Sequence, residues 1–190
     1  MKKSRKISGC LIMLFLLIGC GVEAQQEEST GKSESAEQLY KAGHMMSVLG
    51  RYHEGIRLLE RSLKVQPTAE AYTYLGWTYS QLNNHPRAIE YAKEAIRLDP
   101  DYGNPYNDMG VYLMAQGKED EAIPYLEKAM RAKRYCCYQD PHYNMGKIYL
   151  KKEMYEKARR EFQKALAIDP NYTPAAEALE RLEQSGIRGI

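Results

Sequence analysis

Residues 69–102 read AEAYTYLGWTYSQLNNHPRAIEYAKEAIRLDPDY, and the frame inside this stretch decides the fold. Gly76 follows an apolar Leu75 and stands four residues after Tyr72; Ala88 comes twelve later, Ala95 seven beyond that, and Pro100 closes the stretch. The same frame recurs around Gly43, Gly110 and Gly146, so that the four glycines are spaced by 33, 34 and 36 residues. Leu39, Tyr106 and His142 take the place of Tyr72, while Ala42, Met109 and Met145 take that of Leu75. Gly55, Ala122 and Ala158 match Ala88; Ser62, Ala129 and Ala165 match Ala95; Pro67 and Pro170 match Pro100. A period of this length is the mark of a stacked repeat architecture.

Within each half of a unit the apolar residues recur three, four and seven apart, which predicts two antiparallel helices per unit. Small residues at the eighth and twentieth positions let the pair cross closely, and Met46, Tyr79, Leu113 and Tyr149 fill the space beside them. Gly50 and Gly117 fall where the chain must turn between helices. Asn104-Pro105, Asp140-Pro141 and Thr173-Pro174 each set a capping residue before a first-turn proline, and Ser35 with Gln38 predicts a capping box.

Four registered copies of this frame resemble the tetratricopeptide repeat (TPR), with units at 36–68, 69–102, 103–138 and 139–172. The resemblance implies an all-α fold, a right-handed superhelical solenoid of antiparallel helix pairs. The segment 173–184 (TPAAEALERLEQ) resembles the solvating helix that caps such arrays, leaving 185–190 as a tail. In this family the first helix of each unit lines a concave, peptide-binding groove through its fifth, ninth and twelfth positions. Carried onto this chain they are Tyr40, His44 and Ser47; Thr73, Trp77 and Ser80; Asn107, Val111 and Met114; Tyr143, Lys147 and Leu150. Trp77, the single tryptophan, would serve either as an interface anchor or as packing between repeats. Tyr40, Thr73 and Asn107 at the fifth position depart from the basic residues of the family's carboxylate-clamp version, which argues against a receptor for chaperone tails.

Departures from the frame carry their own expectations. Gly55 and Ser62 stand where alanine is usual, and glycine lowers helix propensity by about 1 kcal/mol, so the first repeat is expected to be the loosest. Pro124 inside the second helix of repeat three removes a hydrogen bond and predicts a slight bend. Repeat three has Arg134 where proline closes the others, and the run 134–139 (RYCCYQ) forms an enlarged connection.

Ahead of the repeats, Lys2, Lys3, Arg5 and Lys6 precede an apolar run from Leu11 to Ile18, the pattern of an export signal over 1–19. The run is too short to span a bilayer as a helix. Leu17-Ile18-Gly19-Cys20 resembles the lipobox of bacterial lipoproteins, which implies a lipid on Cys20, palmitate included, and a membrane anchor. The residues also allow a plain secretory signal cut elsewhere, or an uncleaved leader. The stretch 20–35 is polar and small, suited to a flexible tether. Without the four leader cations, the 27 basic residues fall to 23 against 25 acidic, so the formal charge moves from +2 to near −2 and no basic footprint for nucleic acid remains.

No His-Glu-x-x-His, glycine-rich phosphate loop or Gly-x-Ser-x-Gly elbow occurs, so the expectation is a protein that is not an enzyme and takes no cofactor, metal or small-molecule substrate. The four histidines are scattered, and carboxylates such as Glu156 and Glu161 lie beside Lys157 and Arg160 as on a solvated helix face. Cys136 and Cys137 are adjacent; their Cα atoms stand about 3.8 Å apart against the usual ~4.4–6.8 Å of a disulfide, which disfavours a permanent bridge. They read as a redox pair, as a contact with a partner, or as two small apolar loop residues.

The lipobox, the tether, the few repeats and the long third repeat resemble the type IV pilus pilotin lipoproteins, which help an outer-membrane secretin ring assemble. Tyr106-Asn107-Asp108-Met109-Gly110, the run Tyr135 to Pro141, and Asn144-Met145-Gly146 carry that likeness. It implies a scaffold on the periplasmic face of the outer membrane, holding a segment of an envelope protein; Gly21 rather than aspartate after Cys20 agrees with outer-membrane sorting. The other readings are a general envelope or cell-wall-enzyme adaptor, and a redox-sensitive protein using Cys136 and Cys137.

Overall fold

The computed structural model describes residues 34–184. Nine α-helices run through them: α1 Ala36–Val48, α2 Tyr52–Val65, α3 Ala69–Gln81, α4 His85–Leu98, α5 Asn104–Ala115, α6 Glu119–Arg131, α7 Gln139–Lys151, α8 Tyr155–Ile168 and α9 Thr173–Gln184. The expected signal at 1–19, the lipidated Cys20, nearly all of the 20–35 tether and the 185–190 tail lie outside the described residues. Among those described, no helix is long and apolar enough to cross a membrane.

Each repeat is a tight antiparallel pair, and the glycines of the frame show why. A Cβ placed on Gly110 would lie 2.5 Å from Leu126, and one on Gly146 would lie 2.4 Å from Phe162, so the second helix seats a large side chain directly against the first helix's backbone. In repeat one the approach is closer still: a Cβ on Gly55 would sit 2.1 Å from Ser47 Oγ and 2.8 Å from the Gly43 carbonyl oxygen. Gly55 is therefore a packing requirement as well as a propensity cost. Ser62 likewise has a task, donating from Oγ to the Ala36 carbonyl at 2.7 Å.

Four equivalent turns join the helices of a pair. Gly50 and Gly117 adopt φ of +77° and +73°, and Asn83 and Glu153 hold the same left-handed backbone at +56° and +59° without being glycine. Each turn closes in the same way, as where the Arg51 amide donates to the Met46 carbonyl and the Met154 amide to the Tyr149 carbonyl. The Ser35–Gln38 capping box is present, and Thr68 and Asn84 cap α3 and α4 from their side chains. Asn104, Asp140 and Thr173 do not cap: each lies inside its helix, because the preceding backbone at Gly103 and Tyr138 is already helical and α9 starts at Thr173 itself. The prolines thus stand at the second or third helical position, still within the first turn where no hydrogen bond is lost. α6 continues through Pro124 from Glu119 to Arg131.

Between repeats, α1 touches α3, α3 touches α5 and α5 touches α7, whereas α2, α4, α6 and α8 make no comparable contact with one another. Each second helix also packs on the first helix of the next repeat, but a stack in which first helices meet one another and second helices do not must curve toward the first, so α1, α3, α5 and α7 form the inner wall of a superhelix. Its core is continuous, running from Leu59 and Leu75 through Met109 and Leu126 to Met145 and Ile148. α9 packs on α8 and closes the end with Ala175 and Leu182.

The enlarged connection after α6 is an inter-repeat brace. It folds back so that the Arg134 amide donates to the Asp101 carbonyl at 2.9 Å and the Gly103 amide donates to the Arg134 carbonyl at 3.0 Å. The Arg134 guanidinium lies 4.0 Å over the Tyr102 ring and donates to Asp99 at 2.9 Å and to Glu70 at 2.6 Å. Glu161, expected on a solvated face, is buried; it pairs with His142 Nδ1 at 2.7 Å and accepts from Lys164 at 2.7 Å, joining α7 to α8.

Candidate peptide-binding groove

The inner wall displays two contact regions separated by a polar stretch. At the first, His44 from α1 stacks on Tyr74 from α3 with ring centroids 4.1 Å apart, Tyr40 lies 5.8 Å from the same ring, and Trp77 meets His44 edge-on at 5.7 Å. All four side chains are half-buried, so the cluster both joins repeats one and two and leaves aromatic edges open. Trp77 therefore packs between repeats one and two, as one of its two readings expected. Burial keeps His44 below the ordinary histidine pKa, so the ring is neutral at physiological pH.

The second region is at the far end. Tyr143, Lys147 and Leu150 of α7, Phe162 of α8, and Ala178, Arg181 and Leu182 of α9 enclose a pocket of about 360 Å³. Lys147 Nζ lies 5.4 Å over the Tyr143 ring, and Leu150 is 37% exposed. Arg181 is paired with Glu177 at 2.7 Å, and Lys147 beside the apolar hollow suits a partner segment that carries an apolar side chain beside a carboxylate.

In between, Asn144 donates to Asn107 Oδ1 at 3.0 Å, linking α7 to α5. Val111 is 38% exposed, while Met114 and Ser80 are half-buried, Met114 against the core and Ser80 with its hydroxyl turned to the Trp77 carbonyl at 2.7 Å. Asp108 is half-buried here; burial, then the negative charge of Asp140, push its carboxyl up to about 7. Burial also raises Asp140, partly offset by a hydrogen bond from Tyr172. The Tyr112 hydroxyl is buried; burial followed by the charge of Asp108 holds its pKa well above the usual value, partly offset by Ser80.

Two of the twelve expected groove residues do not reach the groove. Ser47 and Thr73 are 1% and 4% exposed. Ser47 Oγ donates to the Gly43 carbonyl at 3.0 Å and stands 2.9 Å from Thr78 Oγ1; Thr73 donates to the Ala69 carbonyl at 2.7 Å. The close crossing at Gly55 draws the first of these inward, and a short hydroxyl satisfied by its own helix has no reason to project. Sequence spacing did not place Asp108, Phe162 or the three α9 residues at the groove. The acidic Asp108-Asp140 pair was visible only as two separated letters, and α9 enters the wall by packing on α8.

The inner wall and the nine helices of the described residues define a helical-repeat, protein-binding solenoid. The tetratricopeptide-repeat signature matches residues 34–101, 106–134 and 139–172, and the chain belongs to the tetratricopeptide-repeat family. It is 28% identical over 96 residues to a small glutamine-rich tetratricopeptide repeat-containing protein 2 of Mycosarcoma maydis, covering 50% of this chain and 27% of that protein. A protein of the same name from Saccharomyces cerevisiae is 30% identical over 105 residues, 55% of this chain and 30% of its own length. The chain therefore spans about a third or less of these relatives. Among solved structures, YrrB, described as a TPR protein with an unusual peptide-binding site, aligns with a TM-score of 0.62 at 26% identity, over 78% of this chain and 76% of YrrB. The type IV pilus biogenesis factor PilW aligns with a TM-score of 0.73 at 21% identity, over 78% and 69%. PilF of Pseudomonas aeruginosa gives 0.71 at 20%, over 80% and 70%. The two pilus proteins share the fold. Repeat arrays of this kind are protein-interaction scaffolds with a concave binding surface.

Proposed function

We propose that this chain grips a polypeptide segment of a cell-envelope protein along α1, α3, α5 and α7, while a lipid on Cys20 holds the complex at the periplasmic face of the outer membrane. The observation that carries the reading is the pocket made by Tyr143, Lys147 and Leu150 with α9, a pre-formed hollow at the end of an aromatic inner wall. The partner segment seats an apolar side chain there and runs back over Val111 toward Trp77. Anchoring is supported by the Leu17-Ile18-Gly19-Cys20 pattern and the polar stretch that follows it. The assembly served is an outer-membrane one such as the type IV pilus secretin, a reading supported by the shared fold with PilW and PilF.

A photo-crosslinking amino acid at Trp77 or Leu150 in the native host tests the groove: one envelope protein captured from both positions is expected, and loss of capture on mutating the Tyr143 pocket ties it to the site. Capture that ignores the pocket, or only cytosolic proteins, sinks the reading. Cys20→Ala should release the protein from membranes. Deleting the gene should abolish secretin multimers; normal multimers leave the adaptor reading and remove the pilus one.

A further inference from the structure

Cys136 and Cys137 lie in the connection between α6 and α7, with Sγ atoms 2.8 Å apart. Cys136 is exposed and Cys137 half-buried. Their loop is pinned on both sides: the Tyr135 ring packs where a Cβ on Gly103 would come within 2.4 Å of it, and the Tyr138 hydroxyl donates to the Ala132 carbonyl at 3.0 Å. The two tyrosines meet edge-on with centroids 5.3 Å apart. A segment held this way keeps two thiols side by side instead of letting the backbone splay them. The Cys137 carbonyl accepts the Asp140 amide at 2.9 Å, so the pair is coupled directly to the first turn of α7, three residues before Tyr143 of the pocket.

We infer that Cys136 and Cys137 are a reversible dithiol site, oxidised by exchange with a small-molecule disulfide, whose closure acts on the start of α7. The exposed Cys136 thiolate attacks one sulfur of the external disulfide, breaking its S–S bond, releasing one thiolate and leaving a mixed disulfide on Cys136. Cys137 then gives up its proton and attacks Cys136 Sγ, expelling the second thiolate. Two electrons pass from the protein to the external disulfide, and the two protons end on the released thiols. Cys136 is the exposed thiol and meets the external disulfide first; burial, then the neighbouring Cys136, push the Cys137 thiol up and make it the poorer first nucleophile. Because adjacent Cα atoms are about 3.8 Å apart, shorter than an ordinary disulfide spans, the closed form is one that a thiol reductant readily reopens. The inference is independent of which partner fills the groove.

The test uses the full-length protein, reduced and then incubated with glutathione disulfide, alkylated and digested with trypsin. The peptide 135–147, between Arg134 and Lys147, separates these thiols from Cys10 and Cys20. In the oxidised protein it should be unlabelled and about two mass units lighter by loss of two hydrogens, and it should take two labels after reduction. Cys137→Ser should accumulate a glutathione adduct on Cys136. Two labels without reduction, two glutathione adducts on the wild type, or a cross-link to a second chain would overturn the site. Amide hydrogen exchange at Asp140 should change on oxidation; identical exchange in both states removes the coupling to α7.

Discussion

Arg134 donates to the carboxylate of Glu70 at 2.6 Å, across 64 positions of sequence and two repeats. The same guanidinium holds Asp99 and covers Tyr102, so one side chain in the longest connection stitches repeats two and three together. The groups are partly exposed, and screening by water limits each ion pair to well under its Coulomb value. Arg134→Ala is expected to lower stability by about 1–2 kcal/mol, the stacking included, with Arg134→Lys recovering only part because it loses the planar fork. Chemical denaturation at low and high salt measures both; an unchanged midpoint for Arg134→Ala removes the brace.

Two substitutions involving glycine should have opposite signs. Gly55→Ala improves helix propensity by about 1 kcal/mol, yet its methyl group meets Ser47 and the Gly43 carbonyl, so a net loss of stability is expected. Glu153→Gly relieves a left-handed backbone and should raise stability by about 0.5–1 kcal/mol. Thermal melts of the two variants decide it; a stabilised Gly55→Ala would mean that the close crossing of α1 and α2 is not there.

Asp108 sets a pH dependence. Its carboxyl titrates at 3.8 when unperturbed and at about 7 in the fold, so between those values the unfolded chain is ionised while the native one keeps its proton. The native state then binds more protons, and stability from this group falls as pH rises from 3.8 to about 7, becoming level above that. Asp108→Asn should be more stable than the wild type at pH 8 by about 1 kcal/mol or more, a Tm gain of ~2–4 °C per kcal/mol, and should lose the advantage toward pH 4. Parallel stability curves for the two proteins would contradict the assignment.

Groove and core should separate cleanly by mutation. Tyr143→Ala and Trp77→Ala, at the two contact regions, are expected to cut crosslinking from Val111 by about tenfold, the effect of losing ~1.4 kcal/mol from an anchor. Ser47→Ala should lower the melting temperature and leave crosslinking unchanged, since that hydroxyl is spent on Gly43 and Thr78. A binding defect from Ser47→Ala in a folded protein would restore it to the groove.

The order of helices and the position of every repeat glycine were legible in the letters, because a 34-residue period in the second unit and a three-to-four spacing are local, one-dimensional signals. Whether a residue at a groove position actually faces outward was not. Ser47 and Thr73 carry the right register but are drawn in by short hydroxyl bonds and a close helix crossing. Glu161 looks like a solvated charge until His142 arrives from the facing helix. Arg134 marks only a missing proline in the sequence, and its three contacts exist because the connection folds back over an earlier repeat. Repetition along the chain sets the architecture; the distances between side chains far apart in sequence depend on how neighbouring units settle against each other, and that decides which parts of the inner wall remain open to a partner.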